Sequence, residues 1–346
     1  MRILSIYLFF FSVIAPLNGA YALQDATANN KEAEHLTAAK GIPAKPAENW
    51  GVLNDVKTGL QPPVAAVVQH DEQPDFVREL VRVQWRPADP IELWITRPKG
   101  AGKVPVVLYL YNYTDTNERF HDNGWCKRAS ADDFATVGFV SALTDYRFRN
   151  RPMKQWFVSE LPESLGSSVH DVQLILNYLA NRGDIDMEHV GMFGMGSGAT
   201  IAILAAHADS RIKAVDLLDP WGDWPDWLKF SPAVPDNERP KYLSPEFLKS
   251  AAGLDPLDYL SSLKTPSFRL QQTLSDPVTP NIAKQRIGAA VPDPTRLVKY
   301  TNAEDLLKAW KVTGLSGWLK QQMRSQTPKG NGDDRRAALS SHSQLD

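Results

Sequence analysis

The chain has 346 residues, with 38 Lys and Arg against 40 Asp and Glu and a formal net charge of −2. That balance lacks the basic footprint of a nucleic-acid binder, and the 43% hydrophobic and 23% charged fractions are those of a globular domain. A single cysteine, Cys126, excludes an internal disulfide; nothing beside it marks a thiolate, so it reads as a small buried hydrophobe.

The first 22 residues read as a secretory signal peptide. Arg2 supplies the positive charge, Ile3 to Ile14 is almost wholly apolar, and Ala20-Tyr21-Ala22 fits the small-x-small cleavage rule. Pro16 and Asn18 cut the apolar run short of the roughly 20 residues that a membrane span needs, and no cysteine follows for a lipid anchor. The mature chain is expected to be secreted or periplasmic, without membrane attachment. Residues 23–61 are polar, rich in Ala, Asn, Lys and Pro, and without periodicity, as in a flexible leader. A globular domain is expected over 62–326, followed by a disordered polar tail at 327–346.

Strand signals begin at Phe76 and run to Val83. Ile91 to Thr96 forms a second run, and Arg86-Pro87-Ala88-Asp89-Pro90 supplies the turn of an antiparallel hairpin. Val104 to Tyr111 and Val137 to Thr144 are apolar without alternation, as in strands covered on both faces. Val172, Ile175, Leu176 and Leu179 fall at i, i+3, i+4 and i+7 on a predicted helix that Ser167 or Ser168 would cap. Val190 to Phe193 is a short strand. Ala199 to Ala206 is apolar all round, as in a helix buried against a sheet. Ala214 to Leu218 is another buried strand. Residues 219–265 break the alternation as a cap-like excursion with Trp221, Trp224 and Trp227 at i, i+3 and i+6. That spacing fits packing of the excursion itself, and aromatic rings also line apolar and sugar-binding pockets. Ser267 to Thr273 and Leu297 to Tyr300 resume the sheet. A terminal helix runs from Asn302 to about Met323, with Leu306, Leu307, Trp310, Leu315 and Trp318 facing inward.

Alternating strands and helices predict an α/β fold, with a mostly parallel central sheet and helices on both faces. Between the Val190 strand and the apolar helix lies Gly191-Met192-Phe193-Gly194-Met195-Gly196-Ser197-Gly198-Ala199. This stretch resembles the nucleophile elbow of the α/β-hydrolase superfamily, where G-x-S-x-G makes a sharp strand-to-helix turn. Three further segments carry the resemblance. Val104 to Tyr111 matches the strand before the oxyanion loop. Asp145-Tyr146-Arg147 matches a strand-end D-x-R. Ser275-Asp276-Pro277-Val278-Thr279-Pro280 matches the turn that bears the acid. The resemblance spans roughly Phe76 to Met323 and implies the α/β-hydrolase fold with an antiparallel N-terminal hairpin. The layout is most similar to the dienelactone hydrolase and acetyl xylan esterase-like branch, with its prolyl oligopeptidase relatives.

The chemistry that the resemblance implies needs a hydroxyl, an imidazole, a carboxylate and oxyanion amides, in chain order Ser, Asp, His. The central elbow position holds Gly196, and Ser197 follows it. Ser197 is either a shifted nucleophile or the residue whose amide serves the oxyanion, its side chain turned to the helix. Asp276 is the expected acid or a turn residue before proline, and Asp219 also ends a strand. After the last strand, Tyr300-Thr301-Asn302-Ala303-Glu304-Asp305 contains no histidine, and Asn302 with Asp305 resembles a capping box. A substitute base would be His170, near the start of a crossover helix, or His121 in the loop after Tyr111; either also suits a hydrogen-bonded structural role. Asn112-Tyr113-Thr114-Asp115 stands where other members often carry H-G-G. No H-E-x-x-H, Cys pair, calcium loop, P-loop or G-x-G-x-x-G is present, so no metal or cofactor is expected. Two functions follow as expectations. One is an exported ester (acyl) hydrolase using Ser197, Asp276 and His170 on a small ester or carbohydrate-derived substrate. The other is a non-catalytic scaffold that binds a ligand or partner in the former pocket.

Overall fold

The structure is a computed structural model that describes residues 65–86, 89–110, 117–131, 134–139, 158–314 and 317–326. The signal peptide, the leader, the polar tail, Asn112-Tyr113-Thr114-Asp115 and Asp145-Tyr146-Arg147 lie outside the described residues.

The chain opens with β1 (Ala66–Glu72), β2 (Phe76–Arg86), β3 (Asp89–Pro98) and β4 (Val104–Leu110). A 3-10 turn (Asn117–His121) leads to α1 (Asn123–Ala129), β5 (Ala135–Phe139) and α2 (Leu161–Ala180). The centre is β6 (Ile185–Met195), α3 (Ser197–Ala208) and β7 (Ile212–Leu218). The excursion holds α4 (Trp224–Phe230), α5 (Arg239–Tyr242), α6 (Pro245–Ala252) and α7 (Pro256–Leu260). The chain then forms β8 (Ser267–Thr273), α8 (Asn281–Ala289), β9 (Leu297–Tyr300), α9 (Ala303–Thr313) and α10 (Gly317–Gln326).

Among the described residues, nine strands join one sheet in the order β1-β2-β3-β5-β4-β6-β7-β8-β9. β1, β2 and β3 pair antiparallel, and β3 meets β5 antiparallel; every pairing from β5 to β9 is parallel. This is the α/β arrangement that the resemblance implies, with the hairpin at the front. β1 was not anticipated. Five consecutive residues from Ala66 to His70 are exposed, so no buried face imposes a pattern on them. Because β4 sits between β5 and β6, the chain reverses its direction of travel there, which opens a crevice at the carboxyl ends of the strands.

Alternation along the strands divides the core between the two faces. Val106, Leu108 and Leu110 of β4 and Val190 and Met192 of β6 join the cluster that includes α2 and α3. Val107, Tyr109, Phe193, Ala214 and Leu218 point the other way, with Leu306, Leu319 and Met323 of α9 and α10. The stripe of Val172, Ile175, Leu176 and Leu179 is fully buried, as its spacing predicts. Its helix begins at Leu161, six residues before the expected Ser167 cap. Ser168 lies inside the helix and donates its hydroxyl to Ser164 O at 2.7 Å. The expected terminal helix is two helices, separated at Gly314, whose φ of 73° ends the first. Leu306 is buried, Trp310 packs on Phe193, Trp318 packs on Arg269, and Leu315 lies outside the described residues.

A polar network is buried on the second face between β7, β8 and β9. Asp216 on β7 accepts from Arg269 Nε at 2.9 Å and from its terminal nitrogen at 2.6 Å. Gln271 Nε2 donates to the same carboxylate at 2.8 Å, and Tyr300 donates to Gln271 Oε1 at 2.9 Å. The Arg269 guanidinium lies 4.9 Å from the Trp318 ring. Burial pushes the Asp216 carboxyl up, and the guanidinium and the amide pull it down. Replacing Arg269 with Met leaves that carboxyl buried without its cation and should cost about 3–5 kcal/mol in a denaturant titration. The double change Asp216→Leu with Arg269→Met should cost clearly less than the single one.

Helix α3 lies close on β6. A Cβ at Gly194 would sit 2.6 Å from Gly198 O and 2.7 Å from Ala199 Cα, both backbone atoms. A Cβ at Gly191 would meet only the Met323 side-chain end within 3 Å, at 2.9 Å. Gly194→Ala should therefore lose about 3 kcal/mol or more of unfolding free energy, and Gly191→Ala about 1 kcal/mol or less, by chemical denaturation.

Candidate functional site

The carboxyl ends of the parallel strands form the candidate site. At the end of β6 the chain turns through Gly196 with φ 56° and ψ −121°. The Gly196 amide donates to Leu218 O at 2.9 Å, which ties the apex to β7. Its carbonyl accepts from Ala199 N at 3.0 Å and Thr200 N at 3.2 Å, which starts α3. Positive φ with strongly negative ψ is strained for any residue with a Cβ. Glycine holds it freely and brings no side chain to the apex. Ser197 is the first residue of α3 and is fully buried. The next turn is fixed by Thr200, whose hydroxyl donates to Trp221 O at 2.6 Å.

Asp276 lies in the turn after β8. Its carboxylate accepts from Val278 N at 3.3 Å and Thr279 N at 3.1 Å, and its own amide donates to Thr273 O at 3.1 Å. The sequence reading had not singled out Lys284. This residue on α8 is 3% exposed. Its ammonium donates to Thr273 O at 2.7 Å, Leu274 O at 3.3 Å and Asp276 O at 2.5 Å, and stops 4.0 Å from Asp276 Oδ2. Burial pushes the Lys284 ammonium down, and Asp276 and Asp219 hold it up. The one available signal was a lysine between Ala283 and Ile287, which share its buried face.

Asp219 follows β7 with φ 46°. Its amide donates to Gln271 O at 2.9 Å, and its Oδ1 accepts from Thr273 N at 2.7 Å. Burial first, then the negative Asp276, push its carboxyl up to about 7. The sheet edge thus brings Asp219 to the Thr273 amide, and Asp276 and Lys284 to the Thr273 carbonyl.

Among the described residues, no histidine lies on the turns that carry Asp219 and Asp276. Because α2 starts at Leu161, His170 is its tenth residue, about 14 Å along the axis from the first at 1.5 Å per residue. It is therefore mid-helix, not near the helix start as the sequence suggested. His121 is exposed and lies edge-on to Trp94 at 4.8 Å, on a strand three positions from β6. His207 ends α3, opposite the apex, against Tyr259 at 4.7 Å; burial and then Lys264 push it down. After β9, Asn302 caps α9 and accepts from Glu304 N at 2.9 Å and Asp305 N at 3.1 Å, as its spacing predicted. Trp221, Trp224 and Trp227 are all buried. Trp227 stacks on Trp221 at 5.0 Å and meets Trp224 edge-on at 5.8 Å, so they pack the excursion. Cys126 is buried, donates to Phe120 O at 3.3 Å and has its thiol pushed up by burial. Among the described residues, no three His, Cys, Asp or Glu side chains are grouped to hold a metal ion, and no helix is long and apolar enough to cross a membrane.

The acetyl xylan esterase from Paenibacillus sp. R4 superposes with a TM-score of 0.60 at 17% identity, covering 76% of this chain and 92% of its own. Acetyl xylan esterase 1 from Thermoanaerobacterium sp. JW/SL YS485 gives 0.56 at 13% identity, covering 79% and 92%. The acylaminoacyl peptidase of Pyrococcus horikoshii gives 0.51 at 14% identity, covering 73% of this chain and 40% of its own. At these identities the likeness is one of fold. No curated protein sequence matches the chain. A family model described as X-Pro dipeptidyl-peptidase (S15 family) matches residues 89–315, well over half of the chain. With its mixed sheet and glycine elbow, the chain belongs to the X-Pro dipeptidyl-peptidase (S15) family, within the α/β-hydrolase superfamily.

Proposed function

We propose that this chain is an exported α/β-hydrolase-fold protein that has given up serine acyl transfer and binds a small ester-like or carbohydrate-derived ligand at the strand ends. The carrying observation is the apex: Gly196 takes the φ 56°, ψ −121° turn without a side chain, while Ser197 is fully buried at the start of α3. Acyl transfer requires a hydroxyl presented to the substrate with an imidazole in reach. Gly196 offers no hydroxyl, and the segment after β9 offers Asn302 as a helix cap. What remains is suited to binding. The positive end of the 12-residue α3 favours a carbonyl or other electron-rich group, and Asp219 and Asp276 supply acceptors for hydroxyls.

A second reading keeps Ser197, Asp276 and His170 as a shifted triad. Its support is Asp276, which stands in the turn after β8 as the superfamily's acid does. Intact mass after fluorophosphonate treatment of the secreted chain separates the two readings. No adduct is expected, and the mass should correspond to a chain starting at Leu23. One adduct on the wild type that disappears in Ser197→Ala would overturn the binding reading. Gly196→Ser should fold with about 1–3 kcal/mol less stability, from forcing a Cβ into the apex conformation. It should hydrolyse an activated acetyl ester no faster than wild type, because a serine without its base recovers little of a triad's rate.

A further inference from the structure

Helix α8 brings a buried cation to the candidate site. Lys284 shares the buried face of the helix with Ala283 and Ile287 and is 3% exposed. An ammonium has three protons to donate and no acceptor, and burying it without partners is costly. Three carbonyl oxygens converge on it: Thr273 O at 2.7 Å, Leu274 O at 3.3 Å and Asp276 O at 2.5 Å. The helix does not need that ammonium for its own attachment. Ala283 and Ile287 are fully buried, Gln272 Nε2 donates to Lys284 O at 2.8 Å, and Arg286 pairs with Asp223 at 3.1 Å and Asp226 at 2.7 Å.

The flanks of the turn after β8 are anchored as well. Leu274 and Ser275 donate to Tyr300 O and Thr301 O at the end of β9, Ser231 donates to Val278 O, and Thr279 Oγ1 reaches Pro220 O. Asp276 between them is held differently. Its amide donates at 3.1 Å to Thr273 O, which also accepts from the ammonium, and its carbonyl accepts from the ammonium directly. Both of its backbone groups therefore lead to Lys284. The ammonium stops 4.0 Å from Asp276 Oδ2, so it does not cap the carboxylate, which accepts from the Val278 and Thr279 amides and stays 21% exposed.

We propose that Lys284 is the positioning residue of the candidate site: its ammonium is the built-in donor for the converging carbonyls of the 273–276 turn and thereby fixes where the Asp276 carboxylate points. The role rests on the ligand reading given above, in which Asp276 accepts from a bound hydroxyl. Without the ammonium, three carbonyl oxygens would point at one another with no donor between them, and the turn would rearrange to find water. Lys284→Ala removes the atoms of a propylammonium ion, so the turn in that variant becomes a site for a small alkylammonium.

Hydrogen exchange of the full-length, ligand-free chain tests this on peptides covering 275–281, where the Val278 and Thr279 amides report the carboxylate that accepts from them. Asp276→Ala sets the value for complete loss of that contact. Lys284→Met keeps an apolar stem without the charge. Exchange in it should rise about 10-fold or more, toward the Asp276→Ala value, while a peptide from α2 stays within about 3-fold of wild type. Lys284→Ala should behave alike, and n-propylammonium should restore its protection where tetramethylammonium at equal ionic strength does not. Exchange in Lys284→Met within about 3-fold of wild type overturns the role, as does a rise shared equally by the α2 peptide or a Lys284→Ala chain that responds equally to both cations. Should neither variant fold, acylation of the wild-type lysines decides. Lys284 should react about 10-fold or more slower than the exposed Lys127 and Lys308, and equal labelling overturns the role. No ligand is present, so failure here leaves the fluorophosphonate result untouched, and an adduct on Ser197 would overturn the binding reading without altering these exchange rates.

Discussion

The approach of α3 to β6 is the constraint on which the rest of the edge depends. Gly194 lets the helix backbone come so close that a methyl group would overlap it, and Gly196 turns the chain where a side chain would be strained. Every other piece of the site is referred to that turn. The Gly196 amide holds β7, and β7 delivers Asp219. Asp219 holds β8, and β8 delivers Asp276 and, through its carbonyls, positions Lys284. The strand ends form a chain of hydrogen bonds, some backbone and some from the Asp219 and Lys284 side chains, each element locating the next.

The same geometry explains why this edge can be shaped for an elbow and lack its chemistry. In a nucleophile elbow, the strain at the apex serves to present a hydroxyl. With glycine at the apex, the turn carries no strain and presents nothing. Fold and activity separate at one residue, because the backbone path is fixed by the glycines on either side and by the packing of α3, while the reaction depends on one side chain.

Electrostatics at the edge follow from burial more than from pairing. On the second face of the sheet, Asp216 has a bidentate arginine and an amide, so its charge is matched where it is buried. Asp219, three residues further along, accepts from one backbone amide and feels both the Asp276 carboxylate and the Lys284 ammonium. Two aspartates of one short segment thus have opposite characters. The Asp216 carboxylate fastens β7 to β8 through Arg269 and Gln271, and the Asp219 carboxyl does so through the Thr273 amide.

Much of this was legible in the sequence. Runs without alternation marked the parallel strands, the helical spacing of Val172, Ile175, Leu176 and Leu179 marked the face of α2, and the triple glycine marked the turn, because burial and backbone sterics act on neighbours along the chain. β1 escaped because an exposed edge strand imposes no pattern, and the start of α2 was misplaced because serines inside a helix look like caps until their surroundings are known. Gly196 at the apex and the absence of a histidine after β9 were plain from the residues alone. The burial of Ser197, the mid-helix position of His170 and the cluster of Asp219, Asp276 and Lys284 around the Thr273 backbone were decided by tertiary structure. They depend on which strand ends lie side by side and on how much water is excluded between them, and residues 54 to 65 positions apart in the chain carry no local signal of either.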